Sequence, residues 1–147
     1  MEIVAGFDPG KSTGFAILQV LDKKITPILI GVIREGPNAL RQFQEVLYLG
    51  VTCVAIEDFL VRPGQARKGA FDWDSMVAPR VIERLKTLCE LQQIPYSLQQ
   101  PAIKPVGYGF ANQKYQAGKK GTHSEDAIAH AVYYAVKKLG AHPVGNS

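Results

Sequence analysis

The stretch Ile3-Val4-Ala5-Gly6-Phe7-Asp8-Pro9-Gly10-Lys11-Ser12-Thr13-Gly14 constrains this chain more than any other. Its first half is a continuous apolar run of strand length. Asp8-Pro9-Gly10 then makes a tight turn, because proline presets one turn dihedral and glycine tolerates the rest. Ala5 to Ser12 also fits a relaxed phosphate-loop pattern. That pattern needs a helix starting at the Lys-Ser pair, whose free amides and dipole would hold the phosphate. Thr13-Gly14-Phe15-Ala16-Ile17-Leu18 is instead rich in strand formers, and Gly14 weakens a first helical turn. Asp8 would also repel an anion from such a cradle. The segment therefore reads as a hairpin that delivers one carboxylate at the end of a strand. A phosphate-loop NTPase is the remote alternative, and no nucleotide cofactor is expected.

The rest of the chain extends this start. Residues 2–7, 14–21 and 25–33 read as three consecutive strands, with a polar turn at Asp22-Lys23-Lys24 and Pro27 near the start of the third. Asn38 is a fair helix cap, and Leu40, Phe43, Val46 and Leu47 follow at helical spacing until Gly50. Val51 to Ile56 is continuously apolar, as buried parallel strands are, and ends in Glu57-Asp58. Residues 60–74 read as a polar, basic loop. Val77, Val81, Leu85, Leu88 and Cys89 line one face of a helix over 75–92, and any apolar stripe left on it is a candidate dimer surface. A strand over 94–98 follows, then Pro101 and Pro105 end regular pairing. Gly107 to Gly121, glycine-rich and aperiodic, reads as a loop, and the last helix runs from about Thr122 to Leu139. The order β-β-β-α-β-α-β-α predicts an α/β domain over 1–147. Its mixed five-stranded sheet has three antiparallel strands, then parallel ones, with helices on its faces.

A length of 147 residues suits one sizeable core, and 46% hydrophobic with 20% charged residues is ordinary for a globular protein. No apolar run is long enough to span a membrane, and the N-terminus enters a strand at once, so a cytoplasmic protein is expected. Cys53 and Cys89 sit in apolar surroundings and read as buried thiols, not a disulfide or zinc site. The net charge of +4 leans weakly towards an acidic partner. Its distribution says more. Arg62, Arg67 and Lys68 follow the central strand, and Lys114, Lys119 and Lys120 precede the last helix. With Lys11, they are candidate contacts to a DNA backbone.

The acidic candidates lie between these basic clusters. Asp8 ends the first strand and Glu57 the fourth. His123 and Asp126 share one face at the start of the last helix. If the two strands are parallel neighbours, a helix packed beside them completes a cluster of three carboxylates and an imidazole. Such a cluster needs a cation, and carboxylate-rich sites with open positions suit Mg²⁺ or Mn²⁺. Two such ions ~4 Å apart can activate water and stabilise the leaving oxygen of a phosphodiester. Strand alternation sends Asp58 to the face opposite Glu57, so one of the two belongs in the site, with Glu57 the choice and Asp58 the alternative. Glu125 suits the helix dipole without any metal. Phe71 and Trp73 read as anchors of their loop, with stacking on unpaired bases the alternative.

At these residues the chain resembles a known family. Gly6-Phe7-Asp8-Pro9-Gly10 with Thr13-Gly14 is similar to the first motif of RuvC-type Holliday-junction resolvases. Val54-Ala55-Ile56-Glu57 resembles their second motif, and His123-Ser124-Glu125-Asp126-Ala127 their C-terminal helix. The resemblance implies an RNase H-like fold in a compact, phage-type member. It also implies a homodimer with two magnesium ions per active site, and paired nicks across four-way DNA. Asp8, Glu57, His123 and Asp126 fall at the family's catalytic, metal-holding positions. Phe59 is the candidate for stacking at the junction, and residues 60–74 do not match the family's pattern. The alternatives are a less selective nuclease on branched DNA or RNA–DNA hybrids, and a non-catalytic protein that binds branched nucleic acid.

Overall fold

A computed structural model describes residues 1–59, 73–113 and 122–145. Strands β1 (Glu2–Asp8), β2 (Ser12–Leu21) and β3 (Lys24–Arg34) form an antiparallel meander. Helix α1 (Ala39–Leu47) leads to β4 (Cys53–Glu57), which pairs parallel to β1. Helix α2 (Trp73–Leu91) leads to β5 (Tyr96–Gln99), parallel to β4. A 3₁₀ turn (Pro101–Ile103), a short helix α3 (Lys104–Phe110) and a long helix α4 (His123–Leu139) complete the order. The sheet has five strands in the order β3-β2-β1-β4-β5. This is the mixed sheet expected from the sequence, and its first and fourth strands are parallel neighbours. The segment after Lys11 is β2, not a helix, so the phosphate-loop geometry is absent here.

Side-chain alternation sorts the sheet into two faces. Ile3, Ala5, Phe7, Phe15, Ile17, Val54 and Ile56 pack with Phe43 and Leu47 of α1 and with Val81, Leu85 and Leu88 of α2. Val4, Leu18, Val20 and Cys53 pack with Ala131, Val132 and Ala135 of α4. Asp8 has the parity of Val4, and Glu57 that of Cys53. Both acids are therefore delivered to the α4 face, at the carboxyl ends of parallel neighbours. Open α/β sheets place ligand sites at these strand ends.

Helix α4 approaches the sheet unusually closely because glycines face it. A Cβ on Gly6 would stand 2.4 Å from the carbonyl oxygen of Ala127 and 2.8 Å from Cβ of Ala131. The helix starts at a capping box, in which Thr122 Oγ1 accepts from the Glu125 N–H and the Glu125 carboxylate accepts from the Thr122 N–H. It ends at Gly140 with φ 71°, in the left-handed region that favours glycine. Glu125 thus has a capping role, and Asp126 beside it is left to face the sheet.

Two features depart from the sequence reading. Lys104–Phe110, read in part as loop, is helical: Pro105 occupies a first-turn position where its missing N–H costs nothing. Gly107, unfavourable in an isolated helix, lets α3 lie against α4, since a Cβ there would stand 2.4 Å from the Ala129 carbonyl oxygen. The outward residues of α2 from Met76 onward are Met76, Arg80, Glu83, Thr87, Glu90 and Leu91, which form no apolar stripe. Exposed apolar side chains instead gather on β3, at Ile28, Leu29, Ile30 and Val32. A bulge opposite Ile17 and Leu18 interrupts this edge strand beside Pro27, where its missing N–H is best tolerated.

Cys53 and Cys89 are buried free thiols, as expected. Burial raises both pKa values, that of Cys89 to about 11, so neither is a ready nucleophile. Among the described residues, no helix is long and apolar enough to cross a membrane.

Candidate active site

Asp8, Glu57 and Asp126 each turn a carboxylate oxygen to one point, with those oxygens within 4.8 Å of one another. Asp8 and Glu57 come from the parallel pair β1 and β4, and Asp126 from the first turn of α4. His123 joins them, its Nδ1 3.0 Å from Asp8 Oδ2, with its ring half exposed. The structure thus brings together all four residues expected to carry the chemistry. Asp58 is elsewhere: its carboxylate accepts from the N–H of Phe59, and its own N–H donates to the Gln99 carbonyl.

The glycine of the first motif sets this geometry. A Cβ on Gly14 would stand 2.0 Å from the His123 carbonyl oxygen. Only glycine at this position of β2 admits the start of α4 beside Asp8.

Three residues outside the sequence motifs complete the electrostatics. The ammonium of Lys104, from α3, lies 3.1 Å from Glu57 Oε1 and 3.5 Å from Asp126 Oδ2. Burial disfavours its charge, but Glu57, Asp126 and Asp8 outweigh that and raise its pKa. The hydroxyl of buried Tyr108 donates to Asp126 Oδ1 at 2.6 Å. Burial, then that hydrogen bond and the nearby acidic charges, push its pKa up. Fully buried His130 has Nδ1 2.8 Å from Gln99 Oε1. Spacing could have marked His130, since it continues the helical face of His123 and Asp126. Nothing local marks Lys104 or Tyr108.

The carboxylates do not share their proton evenly. Burial raises Asp8 most, and its hydrogen bond to Glu57 with the charges of Glu57 and Asp126 add to this, to about 9 against Lys104. Burial also opposes ionisation of Glu57, but the facing His130 ring, the neighbouring Asp8 and the ammonium of Lys104 outweigh it and lower its pKa to about 2. Asp8 and Glu57 thus shift in opposite directions, as close coupled carboxylates do, and an added hard cation would relieve their repulsion. The all-oxygen donors, their convergence and their mutual repulsion fit a hard divalent cation.

Arg62, Arg67, Lys68, Lys114, Lys119, Lys120 and Phe71 lie outside the described residues. Lys11 is exposed on the turn between β1 and β2, beside Asp8 in sequence. Phe59 is partly buried and packs against the α1–α2 face of the sheet.

Comparison with solved structures identifies the fold. Thermus thermophilus RuvC in complex with a Holliday-junction substrate superposes with a TM-score of 0.69 at 17% identity, over 98% of this chain and 100% of that one. The fold is that of the RuvC-type resolvases. The Holliday-junction resolvase of fowlpox virus matches at TM-score 0.62 and 14% identity, over 93% of this chain and 99% of that one. The yeast mitochondrial Holliday-junction resolvase matches at 0.55 and 12%, over 91% and 76%. No family sequence profile and no curated protein sequence matches the chain. The RuvC-type, RNase H-like fold is therefore carried by structure, at identities where sequence comparison is silent.

Proposed function

We propose that this protein is a metal-dependent endonuclease that resolves four-way DNA junctions as a homodimer, with Mg²⁺ as its ion. The observation that carries the reading is the convergence of Asp8, Glu57 and Asp126 on this resolvase fold. A protein that only binds DNA gains nothing from three acids aimed at the phosphates.

In this reading Asp8, Glu57 and Asp126 hold two divalent cations, with His123 beside Asp8. When bound, the ions activate a water and stabilise the leaving oxygen. The protein's own groups do the positioning. His123 orients Asp8 and stands half exposed where a DNA strand would approach. Tyr108 holds one oxygen of Asp126, leaving the other for a cation. Lys104 neutralises Glu57 and Asp126 before the ions arrive, then offers its ammonium to a phosphate oxygen. Lys11 and the basic segments 62–68 and 114–120 grip the flanking backbone. Pairing two such sites by two-fold symmetry suits a nearly two-fold junction.

The test is cleavage of a synthetic four-way junction with and without Mg²⁺, alongside fork, duplex and RNA–DNA hybrid. Paired symmetric nicks confined to the junction are expected. Equal cutting of the other substrates would point to a less selective nuclease. Asp8→Asn is expected to bind the junction and leave it uncut, and a variant that still cuts removes Asp8 from the mechanism.

A further inference from the structure

Behind the carboxylate cluster lies a buried pair that the mechanism leaves unused. His130 follows Asp126 on α4, and both project from one side of the helix toward the sheet. Gln99 is the register partner of Glu57 across β4 and β5, so its side chain lies beside that acid under α4. The His130 ring is 0% exposed, and its Nδ1 meets Gln99. Its Nε2 faces Glu57 Oε2 at 3.6 Å. Neither of those two atoms has a hydrogen-bond partner among the described residues. The other oxygen of Glu57, Oε1, lies 3.1 Å from the Lys104 ammonium, which also reaches Asp126. The two oxygens are thus already differentiated, one toward the lysine and one toward the histidine.

Two buried polar atoms left facing each other are costly unless a proton lies between them. A neutral imidazole has one N–H. On Nδ1, donated to Gln99 Oε1, it would leave the bare lone pair of Nε2 against the Glu57 carboxylate. A half-turn of the Gln99 amide places its NH₂ against Nδ1 instead. The imidazole proton then belongs on Nε2, aimed at Glu57. Closing that gap to an ordinary hydrogen bond takes only ~0.6 Å.

We propose that Gln99 and His130 form a positioning relay for Glu57. Gln99 sets the imidazole tautomer, His130 Nε2–H holds Glu57 Oε2, and Oε1 is thereby fixed toward a divalent cation. The proposal rests on the cluster being a cation site. His130 is a positioning residue, for it reaches neither the cation nor DNA. Outer groups that hydrogen-bond a metal-binding carboxylate typically contribute about 10–100-fold to metal affinity.

Mn²⁺ is the probe, titrated into the full chain without DNA and followed by the electron-spin resonance of the free ion. Thermal melts and junction binding are measured in parallel. His130→Leu is expected to weaken Mn²⁺ binding by roughly 10–100-fold while still binding the junction. His130→Gln, whose amide NH₂ can reach the same oxygen, is expected to recover most of the loss. A folded His130→Leu variant that binds Mn²⁺ like wild type overturns the relay. If that variant does not fold, Gln99→Leu replaces it, with several-fold weaker binding expected and unchanged binding counting against the proposal. Nitrogen NMR of the metal-free imidazole gives an independent readout: a proton on Nε2 is expected, and a bare Nε2 overturns the relay. Failure of wild type to bind Mn²⁺ would instead overturn the cation-site reading, leaving the tautomer result to stand by itself.

Discussion

Gly14→Ala tests whether the close seating of α4 makes the site. The added Cβ would stand 2.0 Å from the His123 carbonyl oxygen, 2.1 Å from its carbon and 2.6 Å from the Ser124 nitrogen, where ordinary contact begins near 3.4 Å. All three atoms are backbone, so no rotamer change relieves the clash. Either β2 or the first turn of α4 must retreat by about 1.4 Å, the difference between 3.4 and 2.0 Å. That turn carries His123 and Asp126, and a displacement of ~1 Å in a catalytic constellation costs roughly 100-fold in rate. Overpacking of this kind costs about 1–3 kcal/mol, which in a domain of this size lowers Tm by roughly 3–10 °C. The assay is single-turnover cleavage of a labelled four-way junction at saturating Mg²⁺, with melting and junction binding measured on the same protein. Cleavage is expected to fall about 100-fold while binding persists. A variant that cuts within ~3-fold of wild type with an unchanged Tm would refute both the close seating of α4 and the account of catalysis built on it.

Further outcomes follow from the same geometry. Lys104→Met removes the cation between Glu57 and Asp126, so metal-free stability should fall by about 1–2 kcal/mol in denaturant titrations. Mn²⁺ binding measured calorimetrically should tighten, since a competitor has gone, while cleavage drops. Asp8, raised from 3.8 to about 9, favours the folded state through its protonated form. That contribution is complete below about pH 4 and is lost as pH rises towards 9. In chelator, Asp8→Asn should therefore melt above wild type at pH 8, with the gap closing towards pH 4. Glu57, lowered to about 2, has the opposite sign, and its contribution is lost as pH falls from about 4.5 to 2. Tyr108→Phe deletes the hydrogen bond to Asp126 and should cost about 1 kcal/mol of stability by melting. It should also slow cleavage about tenfold by loosening that carboxylate.

Much of the site was legible in the chain because its parts have local signatures. A strand that ends in an acid and a Pro-Gly turn marks Asp8, and an apolar run that ends in an acid marks Glu57. A capped helix start marks Asp126. Alternation and helical spacing then say which way each side chain points, and these periodicities survive without tertiary information. The α3 segment was legible only as far as its proline. Two glycines and a proline in seven residues give Lys104–Phe110 little intrinsic helicity, and packing against Ala129 supplies what propensity lacks.

The sequence by itself determined the order of elements and the placing of each acid at a strand or helix end, since those follow from backbone chemistry within a few residues. Only the tertiary structure decided what surrounds the acids. Lys104, Tyr108, Gln99 and His130 reach them from α3, β5 and the next turn of α4, and they act through short-range forces between groups distant in sequence. The same holds for Asp8-Pro9-Gly10-Lys11-Ser12-Thr13-Gly14. Its carboxylate is local, but the need for glycine at its end arises from the His123 carbonyl, more than a hundred residues further along the chain.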